Sequence, residues 1–534
     1  MFGFKGKSEN KAVALGYNAT ADKGRRQAPK TKVTSESVAL GKKNRSKLQA
    51  TAQEQQRNHS LMAWMIRQHL DYVSSFKIQF KYENDSTLPL VDALEKLFSW
   101  HARPENFDIA RRLGREEAFR GFESEKVVSG DAAMVKLGKP YYKMQMIESD
   151  LIAFPNVGKK QKTKDTLNSN AFAPIPQNIT DNVNKDSGVI LNNSGAKEQF
   201  CICNRGYDGK KLSFDHLEKW NNVIFDGYYT RFSSQTRGVS PLSSAINSMQ
   251  DLYEGFEWAL LQHKVQSLFG IALMRDYNGT DSQTDITMDG LEGSSQSTDT
   301  TATDTTPDEA AKTISTTVSN LTPRETFIID MDQNGKVETI EAKTPSGEYI
   351  SACNLTIRLC MIALDIPMTF FDSNMSSFAG MLADRNLYEK SCQPKIDKNK
   401  WKRQEYSDFV VDSYWFSPRF KIAEVAASVG ITDINVVKDM VEWISAGFPW
   451  LQKHQEIAGD IKAINNGLDN PIDAARRRGG DAMANLQKTS RFLQKAKKLD
   501  VPIAYGESGQ RTAEEIEEAV ASAMIQTEND KAVE

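Results

Sequence analysis

Apolar residues between positions 60 and 125 recur every three or four residues. LMAWMIRQHLDY (61–72) predicts an amphipathic helix, PLVDALEKLFSWHARP (89–104) a second ending before Pro104, and NFDIARRLGREEAFRGFES (106–124) a third, half-exposed one. The period shortens to two in SSFKIQF, EKVVSGDAAMVKLG, YYKMQMIESDLIAFP, FCICN and VIFDGYYTRF, which predict strands punctuated by Gly and Pro. Residues 156–193 are polar and loop-rich. The first 230 or so residues therefore predict a mixed α+β region.

Beyond residue 240 the helical period dominates. Leu242, Ala245, Ile246, Met249, Leu252, Tyr253, Phe256, Ala259 and Leu260 continue through Leu268 and Phe269, predicting one helix over 241–275, roughly 50 Å long at 1.5 Å per residue. Asp251, Glu254 and Glu257 fall on its more polar side. Asn334-Gly335 between Phe327, Ile329, Val337 and Ile340 predicts a hairpin. EYISACNLTIRLCMIALDI predicts a second apolar helix, stopping at Ile366-Pro367. A long helical run follows from Ser376-Ser377, and from about Ile422 the chain reads as short helices and turns.

The stretch SSQTRGVSPLSSAI (233–246) leaves two readings open. Ser240 is placed to cap a helix and Pro241 to occupy its first turn, while Arg237 and Gly238 stand where helix N-terminal N–H groups attract anions. It is either a phosphate-gripping site or the corner where one region hands the chain to a long helix.

Composition narrows the function classes. The 534 residues carry 67 basic and 70 acidic side chains, a net charge of −3, which argues against a surface that grips nucleic acid all over. The charge is uneven. Residues 1–57 hold 13 Lys and Arg against 4 acids and read as a basic, flexible arm, solvated or touching phosphates. Residues 276–311 hold nine acids and no Lys or Arg and read as a mobile loop; residues 511–534 form an acidic tail with 7 acids and 2 bases. The first residues show no apolar signal segment, and no run is long enough to span a membrane. Five cysteines in a chain of this length suggest reduced thiols. Cys201 and Cys203 alternate on a strand and lack a second ligand pair, so they read as buried strand residues rather than zinc ligands.

No GxxxxGK[ST] or GxSxG stretch occurs, and the six histidines are scattered with no pair at helical metal-ligand spacing. Carboxylate pairs such as Glu116-Glu117 lie in charge-rich helices. The sequence predicts neither an enzyme nor a cofactor or metal site.

Several stretches, in order, resemble the lambda-type family of tailed-bacteriophage portal proteins. GDAAMVKLGKPYYKMQMIESDLI is similar to that family's strand pair with a Gly-Asp turn. Gln235, Arg237, Gly238, Ser240, Pro241 and Leu242 match its Q-x-R-G-x-x-x-L lead into a stem helix. Leu364 to Ala379 is similar to its Gly-x-Pro and Tyr-Ser-Ser segments, though Met375 replaces the tyrosine and the following arginine is absent. Ile464 to Leu468 and Gly480-Asp481 match its C-terminal pieces, so the likeness covers roughly residues 57–490.

The resemblance implies a homo-oligomeric ring, usually a dodecamer, at the portal vertex of the capsid, assembled in the host cytoplasm. That ring is the channel for double-stranded DNA in packaging and ejection. It docks the terminase large subunit, then the head–tail adaptor, and sits within the major capsid protein shell. The portal fold divides the chain into the arm 1–57, an α+β wing 58–240, a stem helix 241–275, a clip 276–344, a second stem helix with tunnel loop 345–375, a wing helix 376–421, a helical crown 422–505 and the tail 506–534. In this scheme Asp251, Glu254 and Glu257 line the tunnel, and Asp365, Asp372, Ser376 and Ser377 form the tunnel loop. Gln235, Arg237, Gly238, Ser240 and Pro241 make the wing–stem corner, with Arg237 pairing within or between subunits. Ile329, Asn334, Gly335 and Val337 dock partners at the clip. The alternative is a non-channel virion structural protein, or a nucleic-acid-binding protein acting through its basic N-terminal arm.

Overall fold

The computed structural model describes residues 35–81, 85–154, 185–206, 212–230, 235–268, 271–274, 328–331, 347–375, 377–448, 452–480 and 482–499. The chain divides into two units. Val38–Ala63 and Pro241–Phe371 belong to the first; Trp64–Ser240 and Asp372–Glu534 belong to the second. No helix among the described residues is long and apolar enough to cross a membrane.

The second unit mixes helices with small antiparallel sheets. β2 (Asp131–Leu137) lies between β3 (Lys143–Ile147) and β8 (Val223–Gly227). A four-stranded sheet runs in sequence order through β4 (Lys185–Asp186), β5 (Val189–Leu191), β6 (Lys197–Arg205) and β7 (Leu212–Lys219). Ala133, Val135, Ile147, Val189, Phe200, Ile202 and Phe225 from both sheets share one core. On β6 the alternate side chains, Cys201 and Cys203, face the other way and are buried with Phe214 and Ile190 as free thiols. Both faces of that strand are covered, which is why FCICN reads almost continuously apolar.

Beside these sheets runs the helix Phe378–Tyr414, 37 residues long, whose N-terminus is capped by Ser377 Oγ accepting from Gly380 N at 3.2 Å. Tyr388, Cys392, Ile396, Asn399, Arg403, Tyr406 and Val410 recur at helical spacing along its buried side. β1 (Phe76–Phe80) pairs antiparallel with β11 (Val441–Ser445), where Trp443 is buried with its indole N–H donating to Ser407 Oγ at 2.8 Å.

The structure corrects several expectations. The basic arm does not extend to residue 57, because Lys42–Asn58 is a helix that buries Leu48, Ala52 and Gln55. Leu48 and Ala52 lie one turn apart, and Gln55 donates to the Ile246 carbonyl at 2.9 Å, so this helix joins the first unit. The third helix starts at Arg115, not near 106, since the Asp108 carboxylate accepts from the N–H groups of Ala110 and Arg112 and holds that segment in a turn. It then runs through EKVVS, read above as strand, and stops at Gly130, where φ is +96°.

The helix expected over 241–275 is Ile246–Leu268, preceded by a 3₁₀ turn at Pro241–Ser244 and followed by β9 (Ile271–Met274). β9 pairs in parallel with β10 (Ile328–Met331), so Ile329 stands on a parallel strand opposite Ala272. Asn334, Gly335 and Val337 lie outside the described residues, as does Ser376. The second apolar helix is Gly347–Ile362. Residues 422–505 are not wholly helical, because β11 interrupts them to complete the sheet with β1. The remaining described helices there are Ile422–Ser428, Ile434–Asp439, Lys453–Asn465, Pro471–Arg477 and Ala482–Lys498.

Candidate functional site

In the second unit the Arg237 side chain threads between strand ends and is buried with Asp131. Its Nε donates to Asp131 Oδ2 at 2.7 Å and Nη2 to Asp131 Oδ1 at 2.9 Å, a bidentate pair. Nη2 also donates to the Ser149 carbonyl at 2.9 Å, Nη1 to the Ile152 carbonyl at 2.7 Å and to the Ser187 carbonyl. These contacts occupy all five guanidinium N–H groups. Ser149 Oγ and Gly238 N donate to the same Asp131 carboxylate.

This arrangement speaks against the phosphate-gripping reading of residues 233–246. A phosphate would find no free donor on Arg237. Ser240 Oγ donates to the Val127 carbonyl at 2.7 Å, which ties the start of the 3₁₀ turn to the end of the helix Arg115–Ser129. Gln235 accepts from Thr230 N at 2.7 Å and donates to the Arg237 carbonyl at 2.9 Å, which fixes the turn before the arginine. The backbones meet at Gly130 and Gly238. A Cβ on Gly238 would fall 1.9 Å from the Gly130 oxygen, so no side chain fits there. Gly130-Asp131 and Arg237-Gly238, two separate motifs in the sequence, are one contact in the structure.

A second buried network was not legible in the sequence. Lys126 Nζ lies 2.5 Å from Glu123 and 3.0 Å from Asp226, all three buried, and Tyr228 donates to Glu123 at 3.1 Å. The two cations beside Asp226, Lys126 and Lys398, hold its carboxyl below the usual range despite burial. Burial keeps two histidines neutral: His69 is pushed down to about 3 and His101 to about 4. His101 Nε2 donates to the Tyr142 carbonyl at 3.1 Å, which leaves Nδ1 to accept from the Tyr406 hydroxyl at 2.8 Å. Glu123, Lys126, Asp226, His69 and His101 are all buried, whereas Lys398 reaches Asp226 from a partly exposed position. The described residues contain no cluster of three or more potential metal ligands.

In the first unit the Ile246–Leu268 and Gly347–Ile362 helices pack together, burying Met249 and Leu252 from one and Ile357, Cys360 and Met361 from the other. Tyr253 stacks on His59 at 4.0 Å, and its hydroxyl accepts from Leu61 N at 3.2 Å. Asp251, Glu254 and Glu257 are exposed, with Glu254 accepting from Gln250 at 2.8 Å.

The acids do not stand on a purely polar face. Trp258, 70 % exposed, follows Asp251 by seven residues and Glu254 by four. The apolar stripe is covered only as far as Leu252; Phe256, Leu260 and Leu261 are exposed beyond it. On the partner helix Leu355, Leu359 and Ile362 form an exposed row, turned away from the buried side. Asp365 is exposed in a left-handed turn, φ +61°, between buried Leu364 and Ile366. In the second unit Asp372 accepts from Asn374 N at 3.0 Å.

The family model described as phage portal protein, lambda family, matches residues 23–379. Among solved structures, the chain is similar to one titled as the virion of a native gene transfer agent particle, at 11% identity and a TM-score of 0.41, covering 80% of this chain and 90% of that one. It is also similar to a chain from the neck of the native particle computed with C12 symmetry, at 10% identity and a TM-score of 0.41, covering 80% and 93%. No curated protein matches the sequence.

Proposed function

The chain belongs to the lambda family of phage portal proteins, a structural rather than enzymatic family, and from that premise we propose that it forms a closed ring at the capsid vertex through which double-stranded DNA is packaged and ejected. One observation carries the ring. Trp258, Leu260 and Leu261 on one helix and Leu355, Leu359 and Ile362 on the other are left exposed by the single chain. Six large apolar side chains on two packed helices exceed the scattered exposure of a monomer, and a heterologous contact between neighbouring copies covers them by closing a ring.

In this reading the two helices are the stem, and the exposed Asp251, Glu254 and Glu257 are repeated around the tunnel by symmetry. A duplex sliding past carboxylates is not held by phosphate contacts, which would make binding tight and salt-sensitive. The motor that hydrolyses nucleotide is then a separate partner, the terminase large subunit. It docks at the clip, residues 276–344, where Ile329, Asn334, Gly335 and Val337 build the tip that the head–tail adaptor later takes over.

The test combines ring counting with packaging. Electron microscopy of the purified protein should show closed rings. Glu254→Lys with Glu257→Lys should leave the ring number unchanged and slow DNA translocation, measured as duplex protected per unit time in a packaging assay. Absence of rings under all assembly conditions overturns the channel, and an unchanged rate shows that these acids do not face DNA.

A further inference from the structure

The C-terminal helices of the second unit carry two kinds of basic residue. Arg476, Arg477 and Arg478 are each committed to acids: Arg476 to Glu442 at 3.1 Å, Arg477 to Asp469, and Arg478 to Glu456 at 2.9 Å. The next helix, Ala482–Lys498, is different. From Ala482 to Leu499 the sequence has five Lys and Arg and no acid. Lys488, Lys495, Lys497 and Lys498 make no ion pair among the described residues. Lys488, Lys495 and Lys498, separated by seven and three residues, share one exposed face.

The opposite side holds Met483 and Leu486, exposed, and the buried Ala496. A helix with this charge pattern suits either a membrane surface or a polyanion. The apolar side is interrupted by Thr489, Ser490 and Lys497, and the exposed Phe492 and Leu499 stand beside the lysines rather than opposite them, so the helix lacks the two-sided pattern of a membrane-surface helix.

We propose that the Lys488–Lys495–Lys498 face binds duplex DNA through its phosphates, without sequence preference. The inference rests on the channel reading above, which supplies the duplex. Three lysines per chain on flexible stems make exchangeable contacts, repeated in each copy of the ring. They would hold a duplex at this helix, unlike the carboxylates of the first unit, past which it slides.

The full chain carrying Lys488→Gln, Lys495→Gln and Lys498→Gln should be compared with the unaltered chain and with a Lys77→Gln, Lys96→Gln control, two exposed lysines remote in sequence from that helix. Binding of a labelled duplex of mixed sequence is followed between about 50 and 200 mM salt. The triple variant should bind at least about tenfold more weakly at low salt, and the slope of log affinity on log salt should shrink by about 2.7 for each copy in contact with the duplex, near 0.9 for each lost phosphate contact. The control should keep the wild-type slope. An unchanged slope in the triple variant overturns the proposal, as does lysine-dependent binding to anionic vesicles with no DNA binding. Ring counts run beside the titration separate the two readings. Normal rings with an unchanged slope sink the DNA face alone; a slope change in a chain that forms no rings sinks the channel and leaves the DNA face standing.

Discussion

The interior of the second unit and the paired helices of the first solve opposite problems. Around Arg237 and Lys126 the chain buries charge and satisfies it entirely from within: Asp131, Glu123 and Asp226 stand beside their cations at 2.5–3.0 Å. Along Ile246–Leu268 and Gly347–Ile362 the chain leaves Trp258, Leu355, Leu359 and Ile362 exposed to solvent. The first region is complete in one copy. The second leaves large apolar side chains exposed, the surface that the proposed ring would cover. Stability and assembly are therefore written in different parts of the chain, and substitutions should separate them.

The largest effect on the single chain should come from Arg237→Met, which removes the bidentate cation from the buried Asp131 carboxylate. Breaking a buried pair by removing one partner costs about 3–5 kcal/mol. Urea unfolding should show the loss in the second unit, and a variant within about 0.5 kcal/mol of the unaltered chain would mean that the corner is not what holds β2 to β8.

Acid should act on the same region next. His69 and His101 are neutral in the fold, with values near 3 and 4, whereas the unfolded chain takes up protons near 6.5. The unfolded state then binds more protons below pH 6.5, so this stability is fully present above 6.5 and is lost as pH falls from 6.5 towards 4. At pH 5 the loss is about 2 kcal/mol for each histidine. Denaturant midpoints at pH 7 and pH 5 measure it, and His101→Gln should reduce the difference; equal midpoints in the unaltered chain would contradict the burial argument.

The smallest effect on the single chain should come from Leu355→Glu with Leu359→Glu. Both side chains are exposed, so unfolding should shift by less than about 0.5 kcal/mol. Rings, seen by native mass spectrometry, should nevertheless disappear. If rings persist, the row Leu355, Leu359, Ile362 is not the surface that neighbours cover.

Much of this was legible in local pattern. The alternation in DAAMVKL and FCICN, and the three-four spacing from Leu242 to Leu252, report burial directly. What escaped depends on partners distant in sequence. Asp131 lies 106 residues from Arg237, so neither motif announces the other. β11 was missed because VEWIS is short, sits among helical segments and gains its strand identity from β1. The helix Lys42–Asn58 was hidden by its charge, since Leu48 and Ala52 are its only aliphatic anchors in the buried face beside Arg45, Gln49 and Gln55. At the acids, spacing identified exposed positions but not Trp258 among them, because periodicity reports which side is buried in one copy and is silent about a second.

The pairing of β1 with β11 also sets a clock on synthesis. Phe80 finds Val441 and Phe76 finds Ser445, so roughly 365 residues separate the two strands. At about 5–20 residues per second a ribosome takes roughly 20–70 s to make that interval. Throughout it β1 waits with an open edge, Phe76 and Phe80 have no partner strand, and the helix that buries Arg403 between them and Trp443 is not yet complete. The second unit cannot close until residues 241–371, the larger part of the first, have already left the ribosome. The nascent chain thus presents the helices Ile246–Leu268 and Gly347–Ile362, with their exposed apolar rows, before the second unit is folded. Encounters between neighbouring chains on one message then become a hazard that rises with translation rate.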